Sequence, residues 1–182
     1  LPDDRQSLLF SATVTEDVRS LAGRMLFYPE FLSFSSDSVV NKNVTHSYYN
    51  VSGISRTRDL IRILEFEEPE HAIIFANTKD DTFLVNKFLQ RHGYASEVLN
   101  GDMAQKEREK TLLKLRNNEI NYLVATDVAA RGIDITGLSH VFNYVLPDSP
   151  EVYVHRTGRT GRAGKKGIAI SLVSPAEMTS FI

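Results

Sequence analysis

At 182 residues the chain is about 1.2 times the length of a ~150-residue domain, so one domain and part of another are expected. Lys and Arg number 21 against 23 Asp and Glu, a formal charge of −2. That balance excludes a uniformly basic nucleic-acid coat, whose pI would exceed roughly 9, but leaves room for a local cationic groove. With 42% hydrophobic and 24% charged residues and no cysteine, the chain reads as an ordinary globule without disulfides, thiolate metal sites or a thiol nucleophile. Its longest uncharged runs, 43–55 and 135–147, hold 13 residues each, short of the ~18 that span a bilayer. No basic-then-apolar leader opens the sequence, and a cytoplasmic, membrane-free protein is the expectation.

In chain order, Ser7–Phe10 is expected to form a short apolar strand. Thr15, followed by Glu16 and Asp17, is expected to cap a helix running to about Tyr28, where Pro29 stops it. Val18, Leu21, Ala22, Met25 and Leu26 give that helix an apolar stripe that calls for burial. The polar stretch at 31–43 reads as a linker. From residue 44 the chain alternates candidate strands at 44–51, 72–76, 95–99, 121–125, 139–145 and 168–173 with helical stretches near 56–66, 79–92, 104–118 and 149–156. In 79–92, Leu84, Phe88 and Leu89 fall on one face and Thr78 can cap the amino end. Most of the strands are apolar on both sides, as strands covered on both faces must be. Alternation of this kind predicts an α/β domain of three layers around a mainly parallel sheet.

An open parallel sheet binds ligands at the carboxyl ends of its strands. The conspicuous polar pairs sit there: Asn77-Thr78, then Asn100-Gly101-Asp102, then Thr126-Asp127. Backbone N–H groups at such corners can take phosphate oxygens. Thr78, Asp102 and Asp127 also suit plain helix caps, and any one corner alone favours that reading. A second signal is HRTGRTGRAGKK over 155–166, five cations with no acid among them. Glycines between arginines let guanidinium forks approach an anion, although such a loop by itself is as readily a solvated turn. The third is ATDVAARGID over 125–134, where Asp134 closely follows Gly132, placed like the acid that accepts ribose hydroxyls in nucleotide sites.

TDVAARGID at 126–134 together with HRTGRTGR at 155–162 resembles motifs V and VI of the DEAD-box RNA helicases. Other elements follow in order. SAT at 11–13 looks like motif III, IIFANT at 73–78 like motif IV, Gly101-Asp102 like the glycine–aspartate element and QKER at 105–108 like the QxxR motif. The resemblance covers nearly the whole chain. Departures are small: Val14-Thr15 follows SAT where Met-Pro is common, and Thr157 stands where Ile or Ser is usual. No phosphate-cradling Gly-x-x-x-x-Gly-Lys-Ser/Thr loop occurs, since Lys166 follows Gly164-Lys165 and Arg159 replaces the first glycine. No Asp-Glu-x-Asp occurs either.

The resemblance therefore implies the second RecA-like domain of such a helicase, at 44–182, joined by the linker at 31–43 to a remnant of the first at 1–30. It implies ATP and Mg²⁺ as cofactors, held mainly by the first domain, and RNA and that first domain as partners. Arg159 and Arg162 look like arginine fingers, which act on the charge spread over a transferring phosphoryl group. Gly132 and Asp134 would meet the ribose. His155, beside the nucleotide, and Arg156 would link to the first domain, while Ser11 and Thr13 would couple hydrolysis to strand separation. Thr78, Gly101, Asp102, Gln105, Arg108 and Thr126 would line the RNA backbone groove, and Arg131 would brace motif V. No residue is expected to ligate metal, and the chain alone is expected to be inactive. Two other readings are a non-catalytic RNA-binding or docking module that kept the fold, and the matching half of a DNA helicase. The orphaned strand and helix of 1–30 are expected to dock on a second copy or fold back on their own domain.

Overall fold

The structure, a computed structural model, describes residues 5–11, 14, 16–32, 41–52, 55–130, 135, 137–162 and 164–181. The chain divides into two compact units, Leu1–Ser38 and Val39–Ile182.

In the first unit, α1 (Glu16–Met25) opens on Glu16 and Asp17 and closes near Arg24, charges that suit the helix dipole. It ends three residues earlier than expected. Tyr28 takes a left-handed φ of 45°, which leaves the helical path just before Pro29. No residue of α1 is fully buried: Val18, Ala22 and Leu26 are half-buried, and Leu21 and Met25 are exposed. Ser7–Phe10 forms no strand, contrary to the pattern of its side chains. A strand exists only through a neighbouring ladder, and among the described residues none pairs with it.

The second unit runs β1 (Val44–Asn50), α2 (Arg56–Glu67), β2 (Ala72–Phe75), α3 (Lys79–Arg91), β3 (Ser96–Leu99), α4 (Gln105–Arg116), β4 (Tyr122–Ala125), α5 (Asp127–Ala130), β5 (His140–Asn143), α6 (Pro150–Thr157), β6 (Gly167–Val173) and α7 (Met178–Phe181). All six expected strands form one sheet of order β1-β6-β5-β2-β4-β3, and every neighbouring pair is parallel. The two short helices α5 and α7 were not anticipated, being only four residues each.

Strand periodicity sorts the core into two layers. Ala72, Ile74, Val124, Phe142 and Ile170 pack with Leu60, Ile61 and Leu64 of α2 and with Val85 and Leu89 of α3. Ile73, Phe75, Leu123, Ala125 and Val141 face the other way, onto Leu115 and onto Ala129 and Ala130 of α5. The sheet thus lies between two layers of helices, which is the expected three-layer α/β architecture. On α3 the buried face is Thr82, Val85 and Leu89, while Leu84 is exposed. Leu84 was expected on the buried side, but only one narrow stripe of that helix meets the sheet. β1 is an edge strand with four consecutive exposed residues, so His46 and Tyr48 serve the rim, while half-buried Tyr49 packs against the core.

Register sets the level of the functional edge. Phe75 lies opposite both Ala125 and Asn143, so the corners after β2, β4 and β5 emerge side by side. At the opposite, amino end of the strands, the loop after α6 is pinned by Thr160, whose hydroxyl donates at 2.5 Å to the carbonyl of Leu138, just before β5. A Cβ on Gly167 would overlap Thr160 Oγ1 and approach the Gly161 amide nitrogen to 2.6 Å. Gly167→Ala should therefore cost about 1–3 kcal/mol through overpacking. At roughly 2–4 °C per kcal/mol, its thermal midpoint should fall by several degrees. Gly23→Ala, with nothing within 4 Å of the added methyl, should leave the midpoint level or raise it.

Candidate nucleotide and RNA interface

The interface is built at the carboxyl ends of the strands, around one buried cation. Arg156 lies in the last turn of α6 with 1% of its surface exposed. A guanidinium carries five N–H donors in a planar fork, and here every one finds an acceptor. Nε and Nη2 grip the two carboxylate oxygens of Asp127 at 2.8 and 2.7 Å. Nη1 donates to Asn143 Oδ1 at 3.2 Å and to the Val145 carbonyl at 2.7 Å, and Nη2 also reaches Asn77 Oδ1 at 3.0 Å. The guanidinium stands 5.0 Å from the centre of the Phe75 ring. The corners after β2, β4 and β5 and the helix α6 are thus tied to one group. Asn143, itself fully buried in β5, uses its amide to donate to Ser171 Oγ at 3.1 Å.

Arg156 was expected to link this face to another domain; within this one its side chain is enclosed and all five of its donors have acceptors. The neighbouring groups keep surface to offer: His155 and Arg159 are half-buried and line a shallow cleft with Phe75, Asp127, Ala130, Val152 and Arg156. Arg162 is exposed on the loop that follows, its Nε donating to the Gly158 carbonyl at 2.6 Å. Around this cleft, Tyr153 has its phenol pushed above its ordinary pKa by burial, and it meets Nδ1 of His46, itself lowered by burial, at 2.7 Å.

The second cluster lies on the neighbouring corners. Thr78 is the N-cap of α3, accepting from the Asp81 amide at 3.1 Å and donating to Asp81 Oδ2 at 2.6 Å. The cap reading is therefore correct, and Thr78 is also exposed. Asn100 Oδ1 accepts from the Asp102 amide at 3.1 Å and shapes the turn that carries Gly101. Asp102 is held by Lys79, whose Nζ lies 2.5 Å from both carboxylate oxygens. Gln105, in the first turn of α4, donates to Glu109 at 3.0 Å. Arg108 is half-buried and donates from Nη2 to the Ala129 carbonyl at 2.6 Å, tying α4 to α5. Thr126 is nearly buried, with Oγ1 accepting from the Ala129 amide at 3.4 Å.

Two groups thus form, His155 with Arg156, Arg159 and Asp127, and Arg108 with the α5 segment that follows Thr126; Thr78 and Asp102 flank Lys79 nearby. Ser11 belongs to the first unit. Thr13, Arg131, Gly132 and Asp134 lie outside the described residues. Sequence reasoning gave no role to Asn143 or Lys79, and it singled out Asn77 and Asp127 only as members of strand-end corners, with a cap as the plainer reading of Asp127. The available signal was the lack of any acid in 155–166: a guanidinium buried there needs a carboxylate from elsewhere, and buried charges are paired.

The fold defines a class, the α/β RecA-like domain built on a wholly parallel sheet. The chain matches the family described as helicase conserved C-terminal domain over residues 55–164, and it belongs to that family, in its DEAD-box branch. It is 43% identical to the DEAD-box ATP-dependent RNA helicase RhpA of Helicobacter pylori over the whole of this chain and 37% of that protein. Among solved structures, it is similar to the E. coli DEAD-box protein SrmB bound to regulator of ribonuclease activity A. That match has 39% identity and a TM-score of 0.68, and covers 74% of this chain and 79% of that one. S. cerevisiae Dbp5 bound to RNA and ADP BeF3 matches with 32% identity and a TM-score of 0.83, over 96% of this chain and 46% of that one. The chain spans little more than a third of the length of the curated relatives it matches.

The buried pair makes a stability prediction. Breaking a buried ion pair from one side costs about 3–5 kcal/mol, because the other charge is left without its partner. Asp127→Asn and Arg156→Gln should each lower the thermal midpoint by roughly 6 °C or more, and the double variant should fall little further than the worse single one. Midpoints within about 2 °C of the parent in both single variants would show that the network does not anchor this edge.

Proposed function

We propose that this chain is the C-terminal RecA-like half of a cytoplasmic ATP-dependent RNA helicase, acting on nucleotide bound mainly by the first RecA-like domain. On this reading residues 1–30 are a remnant of that first domain, Ser11 and Thr13 couple hydrolysis to strand separation, and residues 31–43 are the linker. When the first domain does not cover it, the exposed apolar surface of 1–30 is what would bring two copies together. The observation that carries the reading is the juxtaposition of Arg159 with His155 in one cleft, held by the ion pair of enclosed Arg156 with half-buried Asp127, at the carboxyl edge where α5 and α3 begin.

Among the described residues no group of three His, Asp or Glu could hold a metal ion, and the sequence has no phosphate-cradling Lys-Ser/Thr loop. What they fit is a supply of cations. Arg159 and Arg162 present guanidinium groups to an anion held from outside, where forked donors stabilise spread phosphoryl charge. Gly132 and Asp134 are assigned to the ribose and His155 to the nucleotide side of the cleft. Because such cations act on charge that develops in the transition state, their loss belongs in kcat.

RNA is assigned to the second cluster. Thr78, Gly101, Asp102, Gln105, Arg108 and Thr126 offer hydroxyl, amide and guanidinium groups suited to phosphate and sugar, contacts that position a strand without reading its sequence.

In the complete helicase, Arg162→Ala should lower kcat by well over tenfold with a much smaller change in nucleotide affinity, and Arg159→Ala should follow it. A kcat within about threefold of the parent, under ~1 kcal/mol, would remove the finger role. For the RNA side, Arg108→Ala should weaken binding equally across oligonucleotide sequences. It should also flatten the dependence of log affinity on log salt by about one unit. A loss confined to particular sequences would contradict backbone recognition.

A further inference from the structure

The loop that carries Arg159 and Arg162 is clasped by a residue 120 positions earlier in the chain. Asn41 Nδ2 donates to the carbonyl of Gly161 at 2.8 Å. Its other side-chain atom, Oδ1, accepts from the amide of Asn43 at 3.0 Å. The side chain therefore closes a local turn on its own chain with one end and holds the arginine loop with the other. The turn orients the amide, since the oxygen is committed to Asn43 and the nitrogen faces Gly161.

Backbone bonds continue the clasp. The Val44 amide donates to the Asn41 carbonyl at 3.0 Å, and the Gly167 amide donates to the Asn43 carbonyl at 2.9 Å. Gly161 has a φ of +67°, and a Cβ there would stand 2.6 Å from Val44 Cγ2 and 3.1 Å from Asn41 Nδ2. Only glycine allows both the left-handed backbone and so close an approach. Its neighbour Thr160 is pinned to Leu138, and Arg162 is held back to Gly158. Residues 158–162 thus have little freedom once Asn41 is engaged.

Asn41 stands just past the point where the chain leaves its first unit at Ser38. We propose that Asn41 is a positioning residue for the arginine loop, fixing the direction of Arg159 and Arg162 and joining it to the path by which the chain enters this domain. The proposal rests on the finger reading of those arginines. Asn41 touches no substrate and acts through Gly161 alone. Its effect is one of alignment, where displacements near 1 Å change rates by up to about a hundredfold.

The test uses the complete helicase. Asn41→Asp keeps the oxygen that accepts from Asn43 but replaces the donor to Gly161 with an acceptor. It should lower RNA-stimulated kcat for ATP by about tenfold, with KM for ATP within twofold and the thermal midpoint nearly unchanged. Hydrogen exchange of the peptide spanning 158–166 should quicken. Combined with Arg162→Ala, it should lower kcat no further than Arg162→Ala alone, because a misaligned finger and a missing one fail at the same step. Asn41→Ser, with a turn-forming oxygen but no amide donor, should give the same pattern and covers the case in which the aspartate variant fails to fold. Unchanged exchange of the loop, a kcat within twofold, or losses that multiply in the double variant would each overturn the proposal. An unchanged kcat in Arg162→Ala would sink the finger reading instead, and loop exchange would then decide the clasp by itself.

Discussion

The functional edge of this domain depends on placing a full positive charge where water cannot reach it. Removing a guanidinium from solvent costs several kcal/mol unless geometry returns that energy. Here the return requires five acceptors at once, drawn from Asn77, Asp127, Asn143 and Val145. Those residues come from three strand ends that neighbour one another only because β2 lies between β4 and β5 in the sheet. The constraint works in both directions. The sheet order makes the pocket for Arg156, and Arg156 holds α6 against the strand ends.

This arrangement divides labour among arginines that a sequence shows as equals. Arg156 is enclosed and satisfied, and Arg108 spends Nη2 on the Ala129 carbonyl. Both brace the short α5 segment, one through its first residue and one near its last. Arg159 and Arg162 remain toward the surface. A rigid frame with a few outward cations suits chemistry on an anion delivered by another domain, since preorganised charge needs no rearrangement when the reaction occurs. The Asn41 clasp adds a side-chain bond to the backbone bonds that already hold this loop.

The acidic residues near the proposed RNA edge fit the same account. Asp80 and Asp81 favour the start of α3, and Asp102 is offset by Lys79. On the reading proposed above, contacts to a strand there would rest on neutral donors and on few cations, in keeping with a chain of net charge −2.

From sequence alone the α/β class, six strands and the four longer helices of the second unit were legible, because central parallel strands read as unbroken apolar runs such as AIIF and YLVA. The placing of polar residues at strand ends was legible too, since it follows from that alternation. Neighbours in space were not. Whether Leu84 or Val85 faces the sheet depends on how α3 is rolled against it. Ser7–Phe10 has a strand's side chains but no ladder, and ladders are supplied by other segments. That Arg156 is interior while Arg162, only six positions on, is exterior was settled by acceptors 11 to 79 positions away. Local pattern reports which residues want burial. Only the folded sheet decides which of them find partners, because the energy of a buried charge lies in groups the chain brings together last.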